Sequence, residues 1–537
     1  MNEFDYIVIG AGSAGCAVAS RLSENASVRV ALVEAGPPDS HRVFQIPALF
    51  GQQQKSAFDW DLETEPEPAL AGRRTYLPRG RVLGGTSSMN TMVYTRGHPA
   101  DYDEWAAHGC EGWSYEEVLP FFRRSEDNER GESRYHGIGG PLAVSDARSV
   151  PTLLEAWVES AGEAGHPQNS DFNGPTQDGA GLYQMTQRDG LRCSSATAFI
   201  APARGRENLR ILTSTQALRI VWSGTTAAGV EVDHQGETRQ LTAAREIILS
   251  AGAYLSPQLL MLSGVGPADH LRAIGIEPLV DAPHVGANLQ DHPGCFLSYL
   301  ARRSEGAAVD TPANEERLRQ HGDGPLTWTE AGLFAHTRDD LDAPDLQFHA
   351  ATGVFADEGL ADSTEAALSF GPYVTRPRSR GRVWLRSRLP HAKPRILHNY
   401  LSDPEDVRDL REGVRMAMRI AEQRALSREL RDARRSREAG LIPRSDSDPD
   451  IEDFMRRTVF SFFHPSGTCA MGSVVDSELR VHGVQGVRVA DVSVMPTLIR
   501  GNTNAPAIMI GERLAELITA GSARTRRSEH VVQPPAR

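Results

Sequence analysis

Lysine is nearly missing from this chain: Lys55 and Lys393 are the only two, and arginine supplies almost all the positive charge. The formal net charge of −13 disfavours nucleic acid and anionic membrane surfaces as partners. Cysteine is sparse and shows no pairing pattern. Cys16, Cys110, Cys193, Cys295 and Cys469 are scattered, odd in number and never spaced as C-x-x-C. That argues against a redox disulfide or a zinc site and fits free thiols in a reducing compartment, so a cytoplasmic location is expected. No H-E-x-x-H motif or tight His/carboxylate group occurs among the 17 histidines, and no metal is expected. No apolar run approaches twenty residues, which leaves no candidate membrane span. Ile7 to Val18 has the look of a signal h-region. The acidic Glu3 and Asp5 precede it where a signal peptide carries positive charge, so it is read as part of the fold. Internal repeats and long low-complexity tracts are also lacking.

What is present begins at the first residues. FDYIVIGAGSAG (Phe4 to Gly15) is an apolar run that breaks into Gly10-x-Gly12-x-x-Gly15, and a second apolar run, Val28 to Val33, ends on Glu34. A strand must stop, turn tightly and open into a helix. Gly10 permits the turn, Gly12 lets backbone approach a pyrophosphate, and Gly15 lets the helix pack close to the strand. The helix N-terminus then offers free N–H groups to phosphate oxygens. Glu34, nineteen residues beyond Gly15, is placed to accept hydrogen bonds from both ribose hydroxyls of an adenosine and to repel a 2′-phosphate. A dinucleotide other than NADP is therefore expected. The glycines do not choose between NAD and FAD. The bland alternative is an ordinary glycine-rich βα turn.

At 537 residues and 40% hydrophobic content the chain exceeds what one core organises, so two domains or one large composite are expected. Residues 101–124 read as helical, with Trp105, Trp113, Phe121 and Phe122 as buried faces, and 131–140 as a glycine-rich surface loop. Leu209 to Trp222 and Ala228 to Asp233 read as a β-hairpin around Ser223-Gly224. Arg245 to Ser250 reads as a buried strand and 256–263 as the helix after it, a strand–Gly–helix unit returning to the nucleotide-binding sheet. Asp345 to Ala350, Ala367 to Val374 and Arg382 to Arg386 read as strands of one antiparallel sheet, followed by a long polar helix from Pro404 to Leu430. This section is expected to carry the substrate pocket. Val487 to Asp491 reads as a short strand, Ala507 to Ile518 as a closing helix, and the arginine-rich end as a disordered tail.

Three further segments carry chemistry. RGRVLGGTSSMN (Arg79 to Asn90) exposes backbone N–H groups and short hydroxyls, which suits a loop against phosphate or a ring, or simply a polar turn. VFSFFHPSGTCAMG (Val459 to Gly472) sets His464 on a turn beside aromatic rings. A histidine so placed can have its pKa tuned for general-base work, or can be a structural histidine bonded to backbone. RGNTNAPAIM (Arg500 to Met509) puts Asn502 and Asn504 just before a helix, as donors to an alcohol or flavin oxygen or as N-caps.

Taken in order, these pieces resemble the glucose–methanol–choline (GMC) oxidoreductase family over nearly the whole chain, Phe4 to Leu517. The resemblance rests on GAGSAG with Glu34, Arg79 to Asn90, GAYLSPQLLMLSGVG (Gly252 to Gly266), His464 to Thr468, and VADVSVMP (Val489 to Pro496) followed by GNTNAP. DWDLETEP (Asp59 to Pro66) and MVYTRGHPADYDEW (Met92 to Trp105) look like the bacterial choline and aliphatic alcohol dehydrogenase branch. It implies an α/β fold: a Rossmann-like FAD-binding domain joined to an α+β substrate domain built on an antiparallel sheet flanked by helices. The FAD domain would take 1–155, 193–297 and 458–520, the substrate domain 156–192 and 298–457, with 521–537 the tail.

The resemblance implies FAD. Adenine and ribose would lie at Glu34 and the backbone of Ala217, and the pyrophosphate at Gly12, Ser13 and Ala14, with Gly10 and Gly15 shaping the cofactor-binding turn. Gly85, Thr86, Asn90, Met92 and Val93 would meet pyrophosphate and flavin, with Asp491, Asn504 and Pro506 beside the ribityl chain and ring. His464 carries over as the base that takes the substrate hydroxyl proton, and Asn502 as the second catalytic residue. Some members attach FAD through a histidine at the place of Met89; a thioether cannot make that bond, so non-covalent FAD is expected. The implied reaction is oxidation of an alcohol by hydride transfer to flavin N5, with oxygen or a quinone-type acceptor taking the electrons. The alternatives are a lyase of the hydroxynitrile type, light-driven fatty-acid decarboxylation, or a nucleotide-binding module without catalysis. No carboxylate for a quaternary ammonium group is identifiable.

Overall fold

A computed structural model describes residues 3–304, 310–361 and 363–530, with the side chains of 522–530 excepted. Strand β1 (Glu3–Ile9) is buried along nearly its whole length, as a central parallel strand must be. It pairs in parallel with β2 (Val30–Val33) on one side and with the long strand Glu237–Leu249 on the other. Leu209–Leu212 extends the sheet in parallel beyond β2, and Val487–Val489 pairs with the end of Glu237–Leu249. The hairpin Thr215–Ser223 and Thr226–His234 pairs with the front half of that long strand. Ile7, Val8, Val30, Leu32, Ile247 and Leu249 are each at most 1% exposed. Full burial of such side chains contributes about 1.5–3 kcal/mol apiece, so this sheet is the stable frame of the molecule.

Helix α1 (Ser13–Leu22) opens directly from β1. Gly10 makes the turn with φ +96°, a left-handed conformation that a side chain would strain. A Cβ at Gly15 would lie 1.9 Å from the Gly10 carbonyl oxygen, so helix and turn touch only because it is glycine. The closing helix, Asn504–His530, lies along α1, where Gly511 faces the Ala14 backbone. Both helices therefore begin beside the same turn.

The second layer is a seven-stranded antiparallel sheet. Its path runs Phe460–Ser461, Pro293–Gly294, Ala367–Val374, Leu346–Thr352, Ala331–Ala335 and Gly179–Leu182, with Leu297–Leu300 also pairing with Ala367–Val374. Helices Pro404–Glu422 and Thr152–Glu163 pack on it around Trp157, Phe348, Phe370 and Leu410. The strand Ala367–Val374 is buried at every residue, with sheet neighbours on both edges and a helix across it.

Several sequence expectations need correction. The run from Leu209 to Trp222 is two strands, not one, broken where Ser214 adopts φ +50° as the chain leaves the parallel sheet and enters the hairpin. Residues 101–124 form two helices, Pro99–Ala107 and Tyr115–Ser125, separated by left-handed Gly109 and Gly112. Arg382–Trp384 pairs with Arg395–Leu397 in a separate ribbon and does not join the antiparallel sheet. The polar helix ends at Glu422, and the closing helix continues past Ile518 to His530. Of the expected tail, residues 531–537 lie outside the described residues. All five cysteines are buried free thiols. Among the described residues, no helix is long and apolar enough to cross a membrane, and no group of three or more His, Cys, Asp or Glu could hold a metal ion.

Candidate active site

A cavity of about 780 Å³ runs between the two layers from Glu34 to His464. Gly10, Gly12, Ser13, Ala14, Glu34, Gly85, Thr86, Asn90, Met92, Val93, Ala217, Asp491, Asn504, Asn502 and His464 all line it. Gly15 and Pro506 do not: Gly15 is packed against Gly10, and Pro506 is buried within the first turn of the closing helix.

At one end the Glu34 carboxylate is buried and accepts the Ala11 N–H at 3.0 Å and the Gly36 N–H at 2.8 Å. It has no ion-pair partner among the described residues, and burial pushes its pKa up to about 7. A buried carboxylate held by backbone donors, with no cation bonded to it, suits a neutral diol. Next along the cavity, the first residues of α1, of the closing helix and of helix Gly252–Leu262 come together. Ser13 Oγ donates to Asn504 Oδ1 at 2.7 Å, and Asp491 accepts the Gly252 N–H at 2.9 Å and the Ser256 hydroxyl at 2.6 Å. Helix N-termini favour negative charge, as a pyrophosphate carries. Gly85 approaches from the other side; a Cβ there would stand 2.7 Å from Gly12 Cα. Arg79 lines the cavity with Nε and Nη2 unpaired, while its Nη1 donates to the Phe463 carbonyl at 3.0 Å. The cavity thus presents, in this order, a buried carboxylate, a set of helix N-termini and an arginine with free N–H groups.

The far end is built on a strained turn. Phe463 sits at φ +67°, a costly conformation for an aromatic residue, and its neighbours hold it there. Its N–H donates to Ser461 Oγ at 2.8 Å. Asp291 accepts that serine's hydroxyl, the His464 N–H at 2.8 Å and the Tyr400 hydroxyl at 2.7 Å. The turn aims His464 into the cavity, and the imidazole lies among rings. Burial, with the Arg79 guanidinium nearby, holds its pKa well below the ordinary histidine value, so the ring is in its neutral, basic form at pH 7. Asn502 Nδ2 stands 3.2 Å from His464 Nε2. The helix after it starts at Asn504, so the Asn502 side chain faces the imidazole.

Sequence reasoning missed several neighbours. His292, from the turn-rich stretch before Pro293, stacks on Tyr373 and places its Nδ1 2.9 Å from His464 Nδ1. Gln347 and Thr95 donate to Asn502 Oδ1 at 3.1 and 3.2 Å. Glu330 is bonded to Trp328 Nε1 and His349 Nδ1. None of these lies in a local motif; only the QDHP run, Gln290 to Pro293, had a reactive residue beside a turn.

A nucleotide-binding parallel sheet with a buried imidazole across the cavity fits the architecture of a dinucleotide-dependent oxidoreductase. Comparison with known proteins agrees. Residues 4–294 and 377–511 match the two segments of the GMC oxidoreductase family. An uncharacterized GMC-type oxidoreductase of Mycobacterium tuberculosis is 43% identical over 532 residues, covering 96% of this chain and 99% of that protein. The mitochondrial choline dehydrogenase of Mus musculus is 38% identical over 558 residues, covering 99% and 92% respectively. Among solved structures, formate oxidase of Aspergillus oryzae, in a variant made to test FAD modification, superposes with a TM-score of 0.88 at 26% identity, covering 97% and 98%. The chain belongs to the GMC oxidoreductase family. Its fold is the FAD-binding fold of that family, its cofactor is FAD, and its activity is FAD-dependent alcohol oxidation in general.

Proposed function

We propose that this protein oxidises the CH–OH group of a small alcohol to an aldehyde or ketone, with His464 as the base and Asn502 as its partner on the alcohol oxygen. The observation that carries the reading is the neutral, buried imidazole of His464 with Asn502 Nδ2 3.2 Å from its Nε2 at one end of the cavity. An alcohol oxygen that takes the place of His464 Nε2 as the partner of Asn502 Nδ2 would give its proton to Nε2 and accept a hydrogen bond from the amide. Bound FAD supplies the two-electron oxidant that takes hydride from the carbinol carbon. A positioned base contributes roughly 10²–10⁴ in rate. The amide, aimed where negative charge develops on oxygen, contributes roughly 3 kcal/mol by comparison with oxyanion-hole donors.

Phe296, Phe355, Phe460, Phe462 and Phe463 wall the cavity near His464 and suit the carbon skeleton of an alcohol. Glu330, the acid on that wall, already accepts hydrogen bonds from Trp328 and His349 on its two oxygens. The FAD is held non-covalently, because Met89 in the cavity wall offers no nitrogen to bond it. Oxygen or a quinone-type acceptor would serve as the final electron acceptor.

Anaerobic mixing with a panel of primary alcohols should bleach the flavin. His464→Ala should remain yellow and folded while reduction slows by at least about a hundredfold, within the range a positioned base contributes. Bleaching at the wild-type rate in that variant would remove His464 from the role.

A further inference from the structure

A base must present a lone pair, and a neutral imidazole has only one. Which nitrogen of His464 carries the proton is therefore decisive. Two hydrogen-bond chains approach this ring from opposite sides, and each ends on a backbone carbonyl that can only accept.

On the first side, His292 Nε2 lies 3.0 Å from the Thr375 carbonyl oxygen and 3.1 Å from that of Ile499. Facing two acceptors, Nε2 must carry hydrogen. His292 is fully buried, and burial pushes its pKa down to about 4, so the ring is neutral and its Nδ1 is bare. That bare nitrogen faces His464 Nδ1 at 2.9 Å, which must then be the N–H donor. On the second side, the Tyr183 hydroxyl donates to the Phe348 carbonyl at 2.8 Å and so accepts from Gln347 Nε2 at 2.9 Å. Gln347 Oε1 accepts the Tyr373 hydroxyl, which fixes the amide's orientation. Its Nε2 then donates to Asn502 Oδ1 at 3.1 Å, leaving Asn502 Nδ2 to donate toward His464 Nε2. Both chains assign the same tautomer: hydrogen on Nδ1, lone pair on Nε2.

We propose that His292 is a positioning residue that locks His464 in its Nδ1–H tautomer, with the Thr375 and Ile499 carbonyls setting the direction of the chain. The inference rests on His464 being the base. The lock keeps the Nε2 lone pair toward the alcohol. When Nε2 takes the substrate proton, the Nδ1–H bond to His292 persists and supports the imidazolium. The Tyr373 ring, stacked 4.8 Å from His292 at 19°, holds the imidazole plane in line. No proton leaves the pair in this scheme, so His292 is not a relay.

The test uses FAD-loaded protein labelled with 15N in histidine, the His464 signals being identified by their loss in His464→Gln. The expected spectrum has His464 protonated at Nδ1 and bare at Nε2 in wild type. His292→Gln should keep that tautomer, since its carbonyl can accept from Nδ1–H while its NH2 donates to the two carbonyls. His292→Leu should lose it, and flavin reduction by benzyl alcohol should fall toward the roughly 10²–10⁴ loss of an absent base. An Nε2–H tautomer in wild type, or an unchanged tautomer in His292→Leu, overturns the proposal. If His292→Leu does not fold, the wild-type and His292→Gln spectra still decide it. Undiminished reduction in His464→Gln would instead sink the functional reading and leave the tautomer assignment standing.

Discussion

A ribose contact at Glu34, proposed from the sequence, predicts that the binding of FAD depends on pH. Burial raises its pKa to about 7, and it accepts hydrogen bonds from the backbone N–H groups of Ala11 and Gly36. Hydroxyl groups of the adenosine ribose donate best to the ionised form, so the competent fraction of apoprotein sets the apparent affinity. With a pKa near 7, roughly a tenth of the protein is ionised at pH 6 and nine-tenths at pH 8. The dissociation constant for FAD should therefore tighten by up to about tenfold across that interval, with protons released on binding. In Glu34→Gln the amide can serve only one of the two backbone N–H groups, which costs roughly 1–3 kcal/mol, and the slope should vanish. Titration of FAD into apoprotein, followed by quenching of flavin fluorescence at constant ionic strength, measures both. An equal slope in Glu34→Gln, or none in wild type, would refute the reasoning.

Gly15→Ala should give colourless or insoluble protein, because its methyl would sit 1.9 Å from the Gly10 carbonyl and force α1 off the sheet; soluble protein with normal flavin content would contradict this. FAD should appear in the supernatant after acid precipitation, and yellow colour retained in the pellet would show a covalent bond that Met89 cannot make. His292 and His398 both have pKa values lowered to about 4 by burial, so the unfolded chain takes up protons that the native state refuses. Their contribution is complete above pH 6.5 and is lost as pH falls from there toward 4, on the order of 3 kcal/mol each. Glu34 and Glu67, raised to about 7, act oppositely, losing stability as pH rises from 4.5 through 7. The stability difference between wild type and His398→Gln, from urea titrations at pH 7 and pH 4.5, should isolate the histidine part; a pH-independent difference would refute it.

The cofactor half of the molecule was legible because its constraints are local. Gly10, Gly12 and Gly15 answer to one turn, and Glu34 ends the adjacent strand, so a short stretch holds the information. Asn502 was ambiguous in sequence, cap or donor; only the start of the helix at Asn504 frees its amide for His464. His292 was illegible: its partner is 172 positions away, and its tautomer is set by carbonyls of Thr375 and Ile499 that no side-chain pattern announces. The strand Arg382–Trp384 was misplaced for a related reason, since its partner Arg395–Leu397 competes with the large sheet and wins by proximity in the chain.

The pairing of Pro293 with Ser461 and of Gly294 with Phe460 puts the two facing imidazoles on neighbouring ribbons of one sheet. Four of the five phenylalanine rings on the cavity wall near His464 ride those same ribbons within a few residues of His292 or His464, so reshaping the pocket at Phe296, Phe460, Phe462 or Phe463 also shifts the backbone that holds the two imidazoles. Phe355 reaches the wall from a different loop, its N–H tied to Ser298 and Ser369 hydroxyls. Its ring nevertheless packs on Phe296 at 4.7 Å and on Phe460 at 4.9 Å, so all five rings form one cluster, and a change of fit at any of them is carried to the ribbons that hold His292 and His464.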